Sequence, residues 1–167
     1  MAFKPLKAIA PADVKYALID NSQTLSVGEV IVPGVQGDTS VVLTGGGTTA
    51  GLLGVVLGIV GDKGKVLEKD THAAAADNVT VAMVRVAYVP LMRHVEFVVD
   101  LDAAPETTDN SSAFGNFAVD STGLLLSESS VVAYTTVSAK QFFSYGLAGA
   151  DYGSRAVTCR YIGGALI

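Results

Sequence analysis

Gly51-Leu-Leu-Gly-Val-Val-Leu-Gly-Ile-Val-Gly61 is the most apolar stretch of the chain, and its period decides the fold class. Alternate residues separate: Leu53, Val55, Leu57 and Ile59 fall on one side of an extended chain, and Gly54, Val56, Gly58 and Val60 on the other. Side chains alternate faces along a strand, so the stretch predicts a central strand with one thick apolar face and one thin one. Glycine inside a strand marks a bend, a bulge or close approach by another backbone, as a small barrel or tight sandwich requires.

Two other readings fail on specific residues. The glycines at 51, 54, 58 and 61 have the small-xxx-small spacing of a membrane helix. A span needs roughly 20 apolar residues, however, and this run reaches about half that before Asp62-Lys63. Gly45-Gly-Gly-Thr-Thr-Ala-Gly51, just upstream, suggests a phosphate loop, but Leu52-Leu53 stand where such a loop needs Lys followed by Ser or Thr.

Working outward, the 167 residues are enough for one domain with a real core, or two very small ones. Half of them are hydrophobic and 16% are charged, against about 25% charged in an average soluble domain. That surplus predicts surface covered by protein, in a homo-oligomer or a permanent assembly. The net charge of −5 argues against a nucleic-acid partner. Lys4, Lys7 and Lys15 make the first residues slightly basic, whereas seven acids and no Lys or Arg lie between His94 and Ala139. Cys159 is the only cysteine, so no intrachain disulfide forms, and its alternating position predicts a small core residue. Residues 1–10 lack the apolar run of a signal peptide, which predicts synthesis and use in a cytoplasm.

Pro5 and Pro11 predict an extended N-terminal arm over residues 1–12. Strand candidates follow at Val14-Lys-Tyr-Ala-Leu-Ile19, at Val27-Gly-Glu-Val-Ile-Val32 (stopped by Pro33-Gly34), and at Thr39-Ser-Val-Val-Leu43. Gly61-Asp-Lys-Gly64 reads as a hairpin turn leading into Lys65-Val-Leu-Glu68. Thr71-His-Ala-Ala-Ala-Ala76 is the only segment with good helix propensity, too short for more than a turn or two of helix or a loop on a core surface. Asn78–Val89 is the longest candidate strand, ended by Pro90, and His94–Leu101 follows. Later candidates are Phe117-Ala-Val119, Ser130–Val137, Gln141-Phe-Phe-Ser-Tyr145 and Arg155–Ile162. About ten short strands with turn signals roughly every 8 to 15 residues make the chain all-β, a small β-barrel or β-sandwich body. The composition changes near residues 101–112, which divides the chain into the arm (1–12), a Gly/Val-rich β lobe (13–101) and a second β lobe packed on it (102–167).

No catalytic constellation emerges. His72, His94 and Cys159 have no CxxC or HxxxH spacing for zinc. Ser144 lies in no nucleophile elbow. Asp100, Asp102, Glu106 and Asp109 do not match an EF-hand loop and read as a solvated acidic surface. Gly61-Asp-Lys-Gly-Lys65 reads as a hairpin tip. Phe142, Phe143, Tyr145, Tyr152 and Tyr161 offer a stacking platform without interleaved cations, a pattern of core or subunit interface. The expectation is no catalytic, cofactor-binding or metal-binding residue.

Three stretches together are similar to the head decoration (cement) proteins of tailed bacteriophages. They are Leu53–Lys65, Asp77–Tyr88, and Val95–Ala104 taken with Gln141–Gly146. The resemblance covers about two thirds of the chain and is largely compositional, a small Gly/Val/Ala-rich protein. It implies a β-barrel or sandwich body, often trimeric, bound to the outside of the major capsid protein lattice. It also implies a terminal arm that clips onto capsid protein, which here falls on Phe3, Lys4, Pro5, Leu6 and Lys7. On this reading the protein is a non-enzymatic virion component, with no nucleic-acid or membrane partner, that stabilises the shell by bridging its subunits. Removing residues 1–12 is then expected to abolish binding and leave the body folded. The alternative is a carbohydrate- or receptor-binding β-module, a head fibre or tail component, that uses the acidic loop and the Phe/Tyr-rich end.

Overall fold

The computed structural model describes residues 1–20, 23–36, 39–47, 51–60, 71–73, 85–91, 94–105, 113–130 and 141–163. In chain order their strands are β1 (Lys4–Pro5), β2 (Lys15–Leu18), β3 (Thr24–Ser26), β4 (Val30–Gln36), β5 (Thr39–Thr44) and β6 (Gly54–Val60). There follow β7 (Thr71–Ala73), β8 (Arg85–Pro90), β9 (Glu96–Asp100), β10 (Phe114–Phe117), β11 (Phe142–Leu147) and β12 (Ala156–Tyr161). The protein is all-β, and among the described residues the only helical pieces are single 3₁₀ turns such as Pro11–Asp13 and Ala150–Tyr152. No described helix is long and apolar enough to cross a membrane.

The first sheet has the order β2-β8-β6-β4-β5 and the second β1-β9-β12-β11-β10, with β3 and β7 forming a separate ribbon. Among the described strands every pair is antiparallel. The first sheet curls until its outer strands meet. Ile19, just past β2, bridges Val42 of β5 in parallel, and the Asp20 N–H donates to the Val42 carbonyl at 3.2 Å. The curl encloses Ile19, Leu25, Ile31, Val42, Val56, Ile59 and Val86. A larger core lies between the sheets, where Val30, Val55 and Val89 meet Phe97, Val99, Phe117, Phe142, Val157 and Cys159. The body is therefore a curled, barrel-like sheet sandwiched against a second sheet.

β6 is the middle strand of its sheet, as its apolar run predicts. Its faces differ from simple alternation. The register with β8 shifts between Val56 and Gly58, so Leu57 and Gly58 together oppose Ala87. This bulge reverses the parity beyond it. Val55 and Leu57 pack into the inter-sheet core, whereas Leu53, Val56 and Ile59 pack inside the curled sheet. Both faces of β6 thereby pack against apolar cores, with only Leu57 and Gly58 partly exposed, and the expected contrast of a thick and a thin face is lost. The backbone that crowds its glycine belongs to the same chain: a methyl on Gly54 would lie 2.6 Å from the Val89 carbonyl oxygen of β8.

Other expectations change for local reasons. Pro33-Gly34 does not stop β4, which continues to Gln36. β4 pairs with β6 only at Val30 and Ile31, so among the described residues Pro33 has a partner strand on the β5 side alone. A missing N–H is tolerated at such an edge. Val27 and Gly28 form a turn before β4, with Gly28 at φ +83°. Thr71–Ala73 is strand, not helix, because pairing with Thr24–Ser26 outweighs the weak helix preference of three residues. β9 belongs to the second sheet together with β1, β10, β11 and β12, and one core joins both sheets. The expected turn and strand over 61–68, the earlier part of 78–89, and 131–137 lie outside the described residues.

Candidate partner-binding surfaces

The N-terminal segment is extended, and it is held by its own body. The Asp100 N–H donates to the Met1 carbonyl at 2.9 Å, Lys4 pairs with Val98, and the Leu6 N–H donates to the Glu96 carbonyl at 2.9 Å. Residues 1–6 thus run antiparallel along β9 as an edge strand. The Phe3 N–H also donates to the Gly28 carbonyl at 3.2 Å, tying this edge to the first sheet. Of the five residues expected to grip a partner, Phe3 is a core residue, 3% exposed, with its ring 5.0 Å from Phe142 and 6.0 Å from Phe97. An aromatic ring locked in the core is not free for a partner, and removing residues 1–12 would open that core rather than leave the body intact. Lys4 and Lys7 are exposed, and Pro5 and Leu6 are partly exposed.

A cleft of about 200 Å³ lies between residues 7–13 and residues 94–96, lined by Lys7, Ile9, Asp13, His94, Val95 and Glu96 among others. It carries charges of both signs around an apolar floor, next to the exposed lysines.

The outer face of the second sheet is the other distinctive surface. Alternation along β11 sends Phe142 and Ser144 inward and Phe143 and Tyr145 outward. The Phe114 and Phe143 rings meet edge-to-face at 5.3 Å, and Phe143 and Tyr145 do the same at 5.3 Å. Arg160, opposite Phe143 on β12, places its guanidinium 5.7 Å from the Tyr145 ring centroid. The expected aromatic platform is therefore divided, since Phe142 and Tyr161 are T-shaped partners on the core side at 5.7 Å. The cation absent from the aromatic run itself is supplied by Arg160 across the ladder. Cross-strand register alone reveals it.

The remaining sequence candidates are dispersed. The Asp100 carboxylate meets the Met1 amino group, and Asp102 accepts the Glu128 N–H at 2.8 Å. Glu106 and Asp109 lie outside the described residues. Among those described, no three His, Cys, Asp or Glu side chains gather as metal ligands would. Ser144 is buried, and its hydroxyl donates to the Ala113 carbonyl at 2.6 Å. Cys159 is fully buried in the inter-sheet core, and burial pushes its thiol far above the usual range. His72 lies on the small ribbon and His94 on the cleft rim.

Sequence reading missed two buried acids, Glu29 and Asp120, which are 4% and 7% exposed. Glu29 stands in an apolar run and Asp120 in a Ser/Thr/Gly loop, so neither carries a local signal. Compared with known proteins, the chain matches no family model, no curated protein and no solved structure.

Proposed function

We propose that this is a structural virion protein that binds the outside of a phage capsid and stabilises the shell by bridging capsid subunits. The observation that carries the reading is the distribution of apolar surface. Phe114, Tyr145 and Leu147, on β10 and β11, are 40–49% exposed on a protein with few charges. Grouped exposed apolar side chains mark interaction surfaces. Each such contact is weak, and repetition over a lattice multiplies it. Capsid contact runs along the N-terminal edge through Lys4, Pro5, Leu6 and Lys7, while Phe3 anchors that edge in the core. The partner is the major capsid protein, the protein acts as a homo-oligomer, a trimer by the resemblance, and its place is the capsid surface. Co-sedimentation with empty heads tests this: Lys4→Glu with Lys7→Glu, and separately Tyr145→Ser, should each lower the bound fraction while the circular dichroism spectrum stays unchanged. Binding at the wild-type level by both variants would sink the proposal.

A second reading has its own observation. The outward row Phe114–Phe143–Tyr145 with Arg160 is a surface on which a sugar ring could stack and hydrogen-bond. A glycan array comparing wild type with Arg160→Ala tests a carbohydrate-binding role, which predicts signals that the variant loses.

A further inference from the structure

Glu29 and Asp120 are both buried where the 118–127 loop packs on the first sheet, near enough for the Asp120 charge to act on Glu29. Glu29 precedes β4 and accepts the Ser26 N–H at 2.8 Å and a hydrogen bond from Thr44, at the end of β5. Thr44 in turn accepts the Gly46 N–H at 3.1 Å. Asp120 belongs to the 118–127 loop. Its carboxylate accepts the Thr122 hydroxyl at 2.8 and 2.9 Å and the Leu125 N–H at 3.1 Å. Its backbone carbonyl accepts the Gly47 N–H at 2.7 Å, and the Gly123 carbonyl accepts the Val30 N–H at 2.9 Å.

The fit is close. A methyl on Gly46 would lie 2.3 Å from the Ser121 carbonyl oxygen, and one on Gly123 would lie 3.1 Å from Glu29 Cγ. The same loop is bound to the second sheet, since Leu126 N–H donates to the Asp100 carbonyl at 3.1 Å and its carbonyl accepts the Asp102 N–H at 2.9 Å. Two buried carboxylates thus stand at one of the contacts that tie the curled sheet to the rest of the body.

We propose that the Glu29–Asp120 pair makes this junction a proton-controlled clasp, closed when Glu29 is neutral and loosened when both carboxylates are charged. Among the described residues, the charged group that acts on Glu29 is Asp120; the neighbours Ser26, Thr44 and Gly123 carry no charge. Burial raises the Glu29 pKa most, the Thr44 and Ser26 hydrogen bonds lower it, the Asp120 charge raises it, and the net direction is upward. A carboxyl that holds its proton more tightly folded than unfolded stabilises the fold when protonated. The contribution is complete below the ordinary glutamate range, about pH 4.3, and is lost as pH rises through the raised value.

Thermal melts of the full chain and of Glu29→Gln between about pH 4 and pH 8 test this across the titration range. The melting-temperature difference in favour of Gln should widen with pH, on the order of 3 °C for each tenfold gain in proton affinity. Carbon-13 NMR titration of the Glu29 carboxyl in the wild type should give a midpoint above that of an unstructured glutamate, and Asp120→Asn should lower it. The wild-type titration decides the matter even if a variant fails to fold. A midpoint at or below the unstructured value, or a melting-temperature gap that stays flat with pH, overturns the clasp.

Discussion

The Phe3 ring lies 5.0 Å from the Phe142 ring, so residues far apart in the sequence share one core. Phe3 reaches it because residues 1–6 complete the edge of the second sheet along β9. Its alternation neighbour Lys4 points to solvent.

Phe3→Ala should therefore cost about 3–5 kcal/mol in unfolding free energy, the range for truncating a buried aromatic side chain. Lys4→Ala should change it by no more than about 0.5 kcal/mol. Urea denaturation of the two variants separates a core strand from a loose arm, because a loose arm predicts small values for both.

Gly54 and Gly58 stand in the same strand and should differ in their response to a methyl. At Gly54 the new carbon would lie 2.4 Å from Tyr88 Cδ2 and 2.6 Å from a backbone oxygen, whereas at Gly58 nothing lies within 4 Å. Gly54→Ala should destabilise by about 1–3 kcal/mol as the sheet shifts to admit it. Gly58→Ala should fall within about 0.5 kcal/mol of wild type. Melting temperatures of the pair provide the check.

Ser144→Ala leaves the Ala113 carbonyl without the hydroxyl it accepts from, inside a buried site. The expected loss is about 1–3 kcal/mol, that of a stranded polar group rather than of a small side chain. Ser144→Thr, which keeps the hydroxyl, should recover part of it in the same denaturation assay.

Cys159 should resist a thiol reagent such as DTNB in the native protein at about pH 8, since the thiolate is the reacting species and burial disfavours it. One thiol per chain should react once denaturant is added. Rapid native labelling would show the inter-sheet core open to solvent.

What local pattern determined was the class of structure. Alternating apolar residues, β-branched runs and frequent turn residues made the chain all-β, placed β2, β9, β11 and β12 within a residue or two, and marked β6 as central and Cys159 as core. Those features depend on period and side-chain type, which any short window contains.

Only the tertiary structure decided the rest, because each of these features depends on pairing between distant residues. The bulge at Leu57-Gly58 exists only against Ala87, and it sends Ile59 to the opposite side from Leu57. Phe3 becomes core because β9 accepts the N-terminal segment as a strand, and Thr71–Ala73 becomes strand because β3 does the same for it. Arg160 joins the aromatic row by register with β11. The Asp120 charge acts on Glu29 only because a loop ninety residues away in sequence packs on the turn after β5, and no window of sequence holds both.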